Sequence, residues 1–85
     1  MNRHAILQDA LRARENEVLG YQINIDNFVL AVAHIDAMSD DERAEMAEFR
    51  ADLAQRLAAE RHQQKRAKIM LAVIRQQVEA DTCMC

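Results

Sequence analysis

Two cysteines near the C-terminus, Cys83 and Cys85, are the side chains best suited to redox or metal chemistry. A C-x-C pair provides two thiolates, whereas a structural zinc site uses four ligands at characteristic spacings. The histidines at positions 4, 34 and 62 show no spacing that would complete such a site. We therefore expect no metal, no cofactor and, as in a reducing cytoplasm, free thiols.

Acid–base catalysis is the second chemistry to consider. His34 and His62 have no nucleophilic side chain within one helical turn that would make a catalytic set. Glu45 and Glu48 are three residues apart and could share a helix face, where a solvated acidic surface is the usual outcome. Cofactor motifs and pocket-building loops are also missing from the sequence. We predict that the protein is not an enzyme.

Composition indicates that helices position these residues. The 85 residues include one glycine and no proline. Strand-rich folds need turn residues about every 8–12 positions, so an all-β fold is excluded. The net charge of −3 gives no general attraction to DNA or anionic lipid. The longest apolar run, Ile69–Ile74, is far shorter than the roughly twenty residues that span a bilayer, so we expect a cytoplasmic protein without a membrane partner.

Apolar residues recur at alternating steps of three and four, the spacing of helices that pack along a seam. One seam predicts a helix over about 3–37, and its members are His4, Leu7, Leu11, Arg14, Val18, Tyr21, Ile25, Phe28, Val32 and Ile35. The other predicts a helix over about 40–80, and its members are Met46, Arg50, Leu53, Leu57, Glu60, Gln64, Ala67, Leu71, Ile74 and Val78. We predict a single helical domain over 1–80 and a frayed tail over 81–85.

Ser39 begins a capping-box pattern between the two seams. A reversal at this residue makes the helices an antiparallel hairpin in which Arg14 lies beside Glu60 and His4 meets Ile74. The predicted core residues are Tyr21, Ile25, Phe28, Phe49, Leu53 and Leu71.

An interruption of the first helix is the alternative. Gly20 costs about 1 kcal/mol in a helix interior, and Asn24 or Asp26 can each cap a new helix. A break near 20–25 would give a three-helix bundle.

Several large apolar residues lie off both seams: Leu19, Ile23, Leu30, Ile69, Met70 and Val73. A helix that is apolar on more than one side is usually buried on more than one side. These residues therefore predict a face for dimerisation or for a partner. The simplest arrangement is a homodimer that forms a four-helix bundle.

Charge is unevenly distributed along the second half of the chain. Residues 36–52 contain seven acidic and two basic residues, a net charge of −5, whereas residues 54–68 contain five basic residues and one acidic residue, a net charge of +4. The candidate partner-binding residues are Arg61, Lys65, Arg66 and Lys68, with Glu45 and Glu48 as a second patch. The basic stretch 56–68 could also contact nucleic-acid phosphates, although it has no interleaved aromatic residues for base stacking.

The segments at 15–28 (ENEVLGYQINIDNF) and 67–71 (AKIML) give the chain a resemblance to a known group. It resembles the small helical early-region proteins of lambdoid bacteriophages, encoded between the exonuclease and excisionase genes. The resemblance implies a small accessory protein that shifts host or phage development through macromolecular contacts. It implies no catalytic residues.

These observations together predict a non-enzymatic helical interaction or regulatory module in the cytoplasm, which would be the bacterial host cytoplasm if the resemblance holds. The expected partners are a second copy of the chain and an unidentified protein. A nucleic-acid-binding accessory factor is the alternative.

Overall fold

Three helices make up the computed structural model, which describes residues 2–83: α1 (Arg3–Asp36), α2 (Asp40–Glu45) and α3 (Ala47–Cys83). Helices α1 and α3 pack against each other in opposite directions, and short α2 lies in the connection between them. No strand occurs within residues 2–83. The predicted all-α class and the packing of two long helices are confirmed.

The bounds of the long helices differ slightly from the prediction. Helix α1 continues without interruption through Gly20, so a break near 20–25 does not occur. The glycine has no positive φ, and a Cβ added to it would meet nothing within 4 Å. Helix α3 continues to Cys83, past the predicted end near Ala80, so the described part of the predicted tail is helical. Met84 and Cys85 lie outside the described residues.

The connection between the long helices is itself capped and helical. The Ser39 hydroxyl accepts a hydrogen bond from the backbone N–H of Glu42 at 3.3 Å, as the capping pattern predicts. Helix α2 then ends at Met46, whose φ and ψ of −96° and 5° separate it from α3. Residues 40–45 are predicted within the second long helix, so this interruption differs from the prediction.

The core lies along the two predicted seams. The most buried residues in the described part are Leu7, Ile25, Ile35, Leu53, Gln64, Ala67 and Leu71, and each belongs to a predicted seam. Phe49 is a wrong core prediction, because 53% of its surface is exposed. It directly precedes the seam residue Arg50, and a helical turn of about 100° per residue places it on the flank of the seam.

The register of the hairpin differs from the prediction by about one heptad. Three cross-helix pairs are centred on residues 42–43: Asp36–Arg50, Asn24–Glu60 and Gln22–Gln64. The reversal is therefore centred in α2 rather than at Ser39, because the connection extends to Met46. His4 accordingly contacts Asp81, seven residues beyond the predicted Ile74.

The predicted contact between Arg14 and Glu60 is wrong for the same reason. Arg14 instead forms an ion pair with Glu17 on its own helix, at 3.2 Å. A different polar layer crosses the hairpin at buried Gln64, whose Nε2 donates to Oε1 of Gln22 at 2.8 Å and to the carbonyl oxygen of Val18 at 3.4 Å. Because both bonds cross between helices, Gln64 favours this alignment over slipped ones.

The hairpin is long and thin. Its extents are 66 × 18 × 15 Å, and its radius of gyration is 19.0 Å. A compact chain of this length has a radius of gyration of about 12 Å. No side chain in the described part is fully enclosed, because each core residue is covered by one neighbouring helix only. None of the described helices is long and apolar enough to cross a membrane.

Candidate partner-binding surface

A row of basic side chains follows one face of α3. Arg61, Lys65, Lys68 and Arg75 are separated by four, three and seven residues, which is the spacing of a single face in a helix packed along a heptad seam. We refer to these four residues as the basic row. With a rise of about 1.5 Å per residue, the row extends about 21 Å along the helix. All four residues are exposed.

Most of the basic row forms no ion pair within the described part of the chain. The Arg75 guanidinium lies 3.8 Å from the Glu15 carboxylate. Within residues 2–83, Arg61, Lys65 and Lys68 form no ion pair with a carboxylate. Arg56 differs, because its Nε donates to Asp52 at 2.9 Å. The available positive charge therefore lies between residues 61 and 68 rather than throughout the predicted stretch 56–68.

Arg66 lies on the opposite side of the hairpin from the basic row. Lys68 and Arg75 line a shallow groove together with Leu19, whereas Arg66 lines a separate groove with Tyr21. The structure thus divides the four predicted basic residues into three on one side and one on the other. Three closely spaced basic residues, at 65, 66 and 68, do not form one patch, because neighbours on a helix point about 100° apart.

The acidic connection contains the second predicted patch. Glu45 is the last residue of α2, and Glu48 lies in the first turn of α3, so the interruption at Met46 separates them. Both side chains are exposed. In the described part of the chain, no three acidic, histidine or cysteine side chains are grouped as metal ligands. The structure shows a solvated acidic tip here.

One ion pair, between Asp36 and Arg50, joins the two long helices beside this tip. The Arg50 guanidinium donates to both carboxylate oxygens of Asp36, at 2.6 and 3.0 Å. This hydrogen bond, with the charge of Arg50, holds the pKa of Asp36 below its ordinary value, and the same contact raises the pKa of Arg50. Arg43 forms a second ion pair, with Asp40.

The six apolar residues predicted as a binding face are all exposed, but they do not form one face. Leu19 lines the groove beside the basic row, Ile23 lines a groove with Gly20, and Met70 shares the groove of Arg66. Leu30, Ile69 and Val73 are also exposed. Three further apolar residues outside the predicted face are exposed, Ile6, Val29 and Phe49. Each directly adjoins a seam residue, and that position was the available signal.

The two ends of the chain meet at Asp81. Its carboxylate lies 3.4 Å from Nε of Arg3 and 3.2 Å from Nδ1 of His4. The Cys83 side chain and Cys85 lie outside the described structure, so the cysteine predictions are not tested. These contacts with Asp81 join the N-terminus of α1 to the last turns of α3.

Comparisons of the chain with protein-family models, with curated proteins and with solved structures found no match.

Proposed function

We propose that this protein is a non-enzymatic helical module that binds an acidic surface of another protein through the basic row. The observation that carries the proposal is the unpaired charge of Arg61, Lys65 and Lys68 on one rigid helix face. Unpaired surface cations attract a complementary partner and limit the orientations in which it can dock. The module acts by occupying its partner or by recruiting it.

The chemistry beside the basic row supports a protein partner. Leu19 lies in the groove that Lys68 and Arg75 line, so an apolar contact adjoins the charges. Protein interfaces combine such an apolar centre with a charged rim. The aromatic side chains needed to stack on bases are elsewhere, with Tyr21 in the groove of Arg66 on the other side.

Self-association is the second part of the proposal. The hairpin leaves nine large apolar side chains exposed and encloses none of its described side chains fully. A second copy that forms a four-helix bundle would cover part of this surface.

The proposed setting is the bacterial cytoplasm, where the protein would be an accessory factor of a phage or prophage that modulates host or phage development. The support is the resemblance carried by residues 15–28 and 67–71.

A capture experiment with face-specific charge reversals tests the proposed function. Tagged wild-type protein is incubated with bacterial lysate, with and without nuclease, and captured proteins are identified by mass spectrometry. The test variant is Arg61→Glu/Lys65→Glu/Lys68→Glu. The matched control is Arg66→Glu, which reverses a charge on the opposite side of the same helix. Circular dichroism confirms that both variants remain helical.

We expect one stoichiometric protein that survives nuclease, is retained by the control and is lost with the triple variant. Capture that vanishes with nuclease would favour the alternative of nucleic-acid binding, and affinity would then fall steeply as salt rises. Retention of the same protein by the folded triple variant would remove the basic row from consideration.

A further inference from the structure

The two flanks of the hairpin differ in chemistry. One flank carries the basic row and Leu19. The other carries exposed Phe49, Met70 and Val73 on α3, because Phe49 precedes Met70 by three full heptads and Val73 follows it by one turn. Exposed Ile6 lies on α1, two heptads before Gly20. We call the side formed by these four apolar residues and Gly20 the apolar flank.

The grooves place the α1 and α3 parts of the apolar flank on one side. Gly20 lines a groove with Glu17 and Tyr21, and both of these residues also line the groove that contains Met70. The basic row lines neither groove. A second molecule lying on this side would therefore meet the apolar residues together with the charged side chains of Glu17 and Arg66, while leaving the basic row free.

The exposed area is larger than that of a compact monomer, in keeping with the elongated shape. A compact monomer of this mass exposes about 5,200 Å², whereas this chain exposes 6413 Å². The excess is about 1,200 Å² per chain, so covering it on two copies would bury about 2,400 Å² in total. That total falls within the roughly 2,000–5,000 Å² of homodimer interfaces.

Charge determines the direction in which a second copy fits. The tip, residues 36–52, has a net charge of −5. The opposite end is positive: residues 2–14 carry three arginines and one aspartate, and residues 66–83 carry three basic and two acidic residues, for a net charge of +3. Parallel copies would place two acidic tips together, whereas antiparallel copies place each tip beside a positive end.

We propose that two copies associate antiparallel through the apolar flank, with Gly20 at the level of the two-fold axis. This inference rests on the proposed homodimer. Gly20 lies at the middle of α1, which spans Arg3–Asp36. Two antiparallel hairpins related by a two-fold axis at this level therefore overlap over their full length. Phe49 near the tip of one copy then lies at the level of Ile6 near the end of the other. The two apolar contacts are equivalent by symmetry.

A distance measurement between the tips separates the arrangements. Cys83 and Cys85 are replaced by serine, and a spin label is attached through Asp41→Cys at the exposed tip. Electron–electron double resonance then reports the separation of the two labels in the dimer. Sedimentation at the same concentration gives the mass, and twice 9.8 kDa is expected.

The antiparallel arrangement predicts a separation of about 55 Å, twice the helical rise from the tip to the level of Gly20. A dimer with a separation under about 25 Å would overturn the antiparallel arrangement and leave the homodimer standing. A monomer at 100 μM would overturn both, without bearing on capture through the basic row.

Two neutral substitutions of similar exposure test the flank itself. Phe49 and Leu19 are 53% and 56% exposed and lie on opposite sides of the hairpin. We expect Phe49→Gln to raise the dimer dissociation constant at least tenfold, while Leu19→Gln changes it less than threefold. Equal effects, or a larger effect of Leu19→Gln, would contradict the assignment of the interface to the apolar flank.

Discussion

Asp36 and Arg50 join the last turn of α1 to the start of α3 through two hydrogen bonds from one guanidinium, at 2.6 and 3.0 Å. The pair spans the whole connecting segment and links the two long helices where they meet the turn. The contact also holds the pKa of Asp36 below its ordinary value. An aspartate whose folded pKa is lowered stabilises the fold above its unfolded pKa, and this stabilisation is lost as pH falls through the folded pKa.

Asp36→Asn is therefore expected to make the fold less stable at neutral pH and less sensitive to acid over the range in which Asp36 titrates. Thermal unfolding followed by circular dichroism at several pH values measures both effects. The melting temperatures of variant and wild type should converge as pH falls. The difference at pH 7 is expected to be small, because both side chains are about half exposed. A constant difference at all pH values would mean that the ionised pair is not responsible.

Gln64→Ala is expected to lower the free energy of unfolding by about 1–2 kcal/mol. The substitution removes both cross-helix hydrogen bonds of a buried amide, and Oε1 of Gln22 loses the donor that Gln64 provides. Urea denaturation measures the change. The neighbouring exposed Gln63 gives a matched control, since Gln63→Ala should change stability by less than about 0.5 kcal/mol. Similar losses at both positions would show that helix propensity, rather than the polar layer, dominates.

Leu53→Ala is expected to cost about 2–4 kcal/mol, because the side chain is among the most buried and its removal leaves a cavity between the helices. Leu30→Ala makes the same chemical change at an exposed position and should stay within about 0.5 kcal/mol. Denaturant titration of the two variants compares them directly. A large loss at Leu30 would place that residue in an interface that the hairpin alone does not contain.

Gly20→Ala is expected to stabilise the hairpin by about 0.5–1 kcal/mol and to raise its melting temperature by several degrees. The glycine is mid-helix with no positive φ, and the added methyl group meets nothing within 4 Å. Phe49→Gln serves as the background, so that self-association does not contribute to the melting temperature. A lower melting temperature in that background would mean that the methyl group clashes within the hairpin.

The sequence was sufficient to predict which residues face the other helix. Apolar spacing identifies the seam positions of both helices, and the buried leucines and isoleucines occupy them. The same spacing could not determine which seam residues are opposite each other. A shift of one heptad leaves every seam residue on the seam, so periodicity alone does not distinguish the two alignments. The structure differs from the prediction by that shift.

The connection between the long helices explains why the predicted register is one heptad away from the observed register. Ser39 carries a clear capping signal, and its side chain does cap a helix. That helix ends after six residues at Met46, and the sequence there has neither glycine nor proline to mark the interruption. The placement of Arg66 on the opposite side of the hairpin from Lys65 can be predicted from the sequence. The two residues are adjacent on a helix, so their side chains point in different directions.

The 66 Å length of the hairpin has a consequence for how it meets other molecules. At physiological salt, the interaction between exposed charges is screened over a Debye length of about 8 Å. The attraction between the acidic tip and the basic row of the same molecule is therefore largely screened. An approaching partner therefore responds to the nearest band of charge rather than to the overall charge of −3. The molecule behaves as a rod with independent charged zones, so each zone can meet a different partner surface.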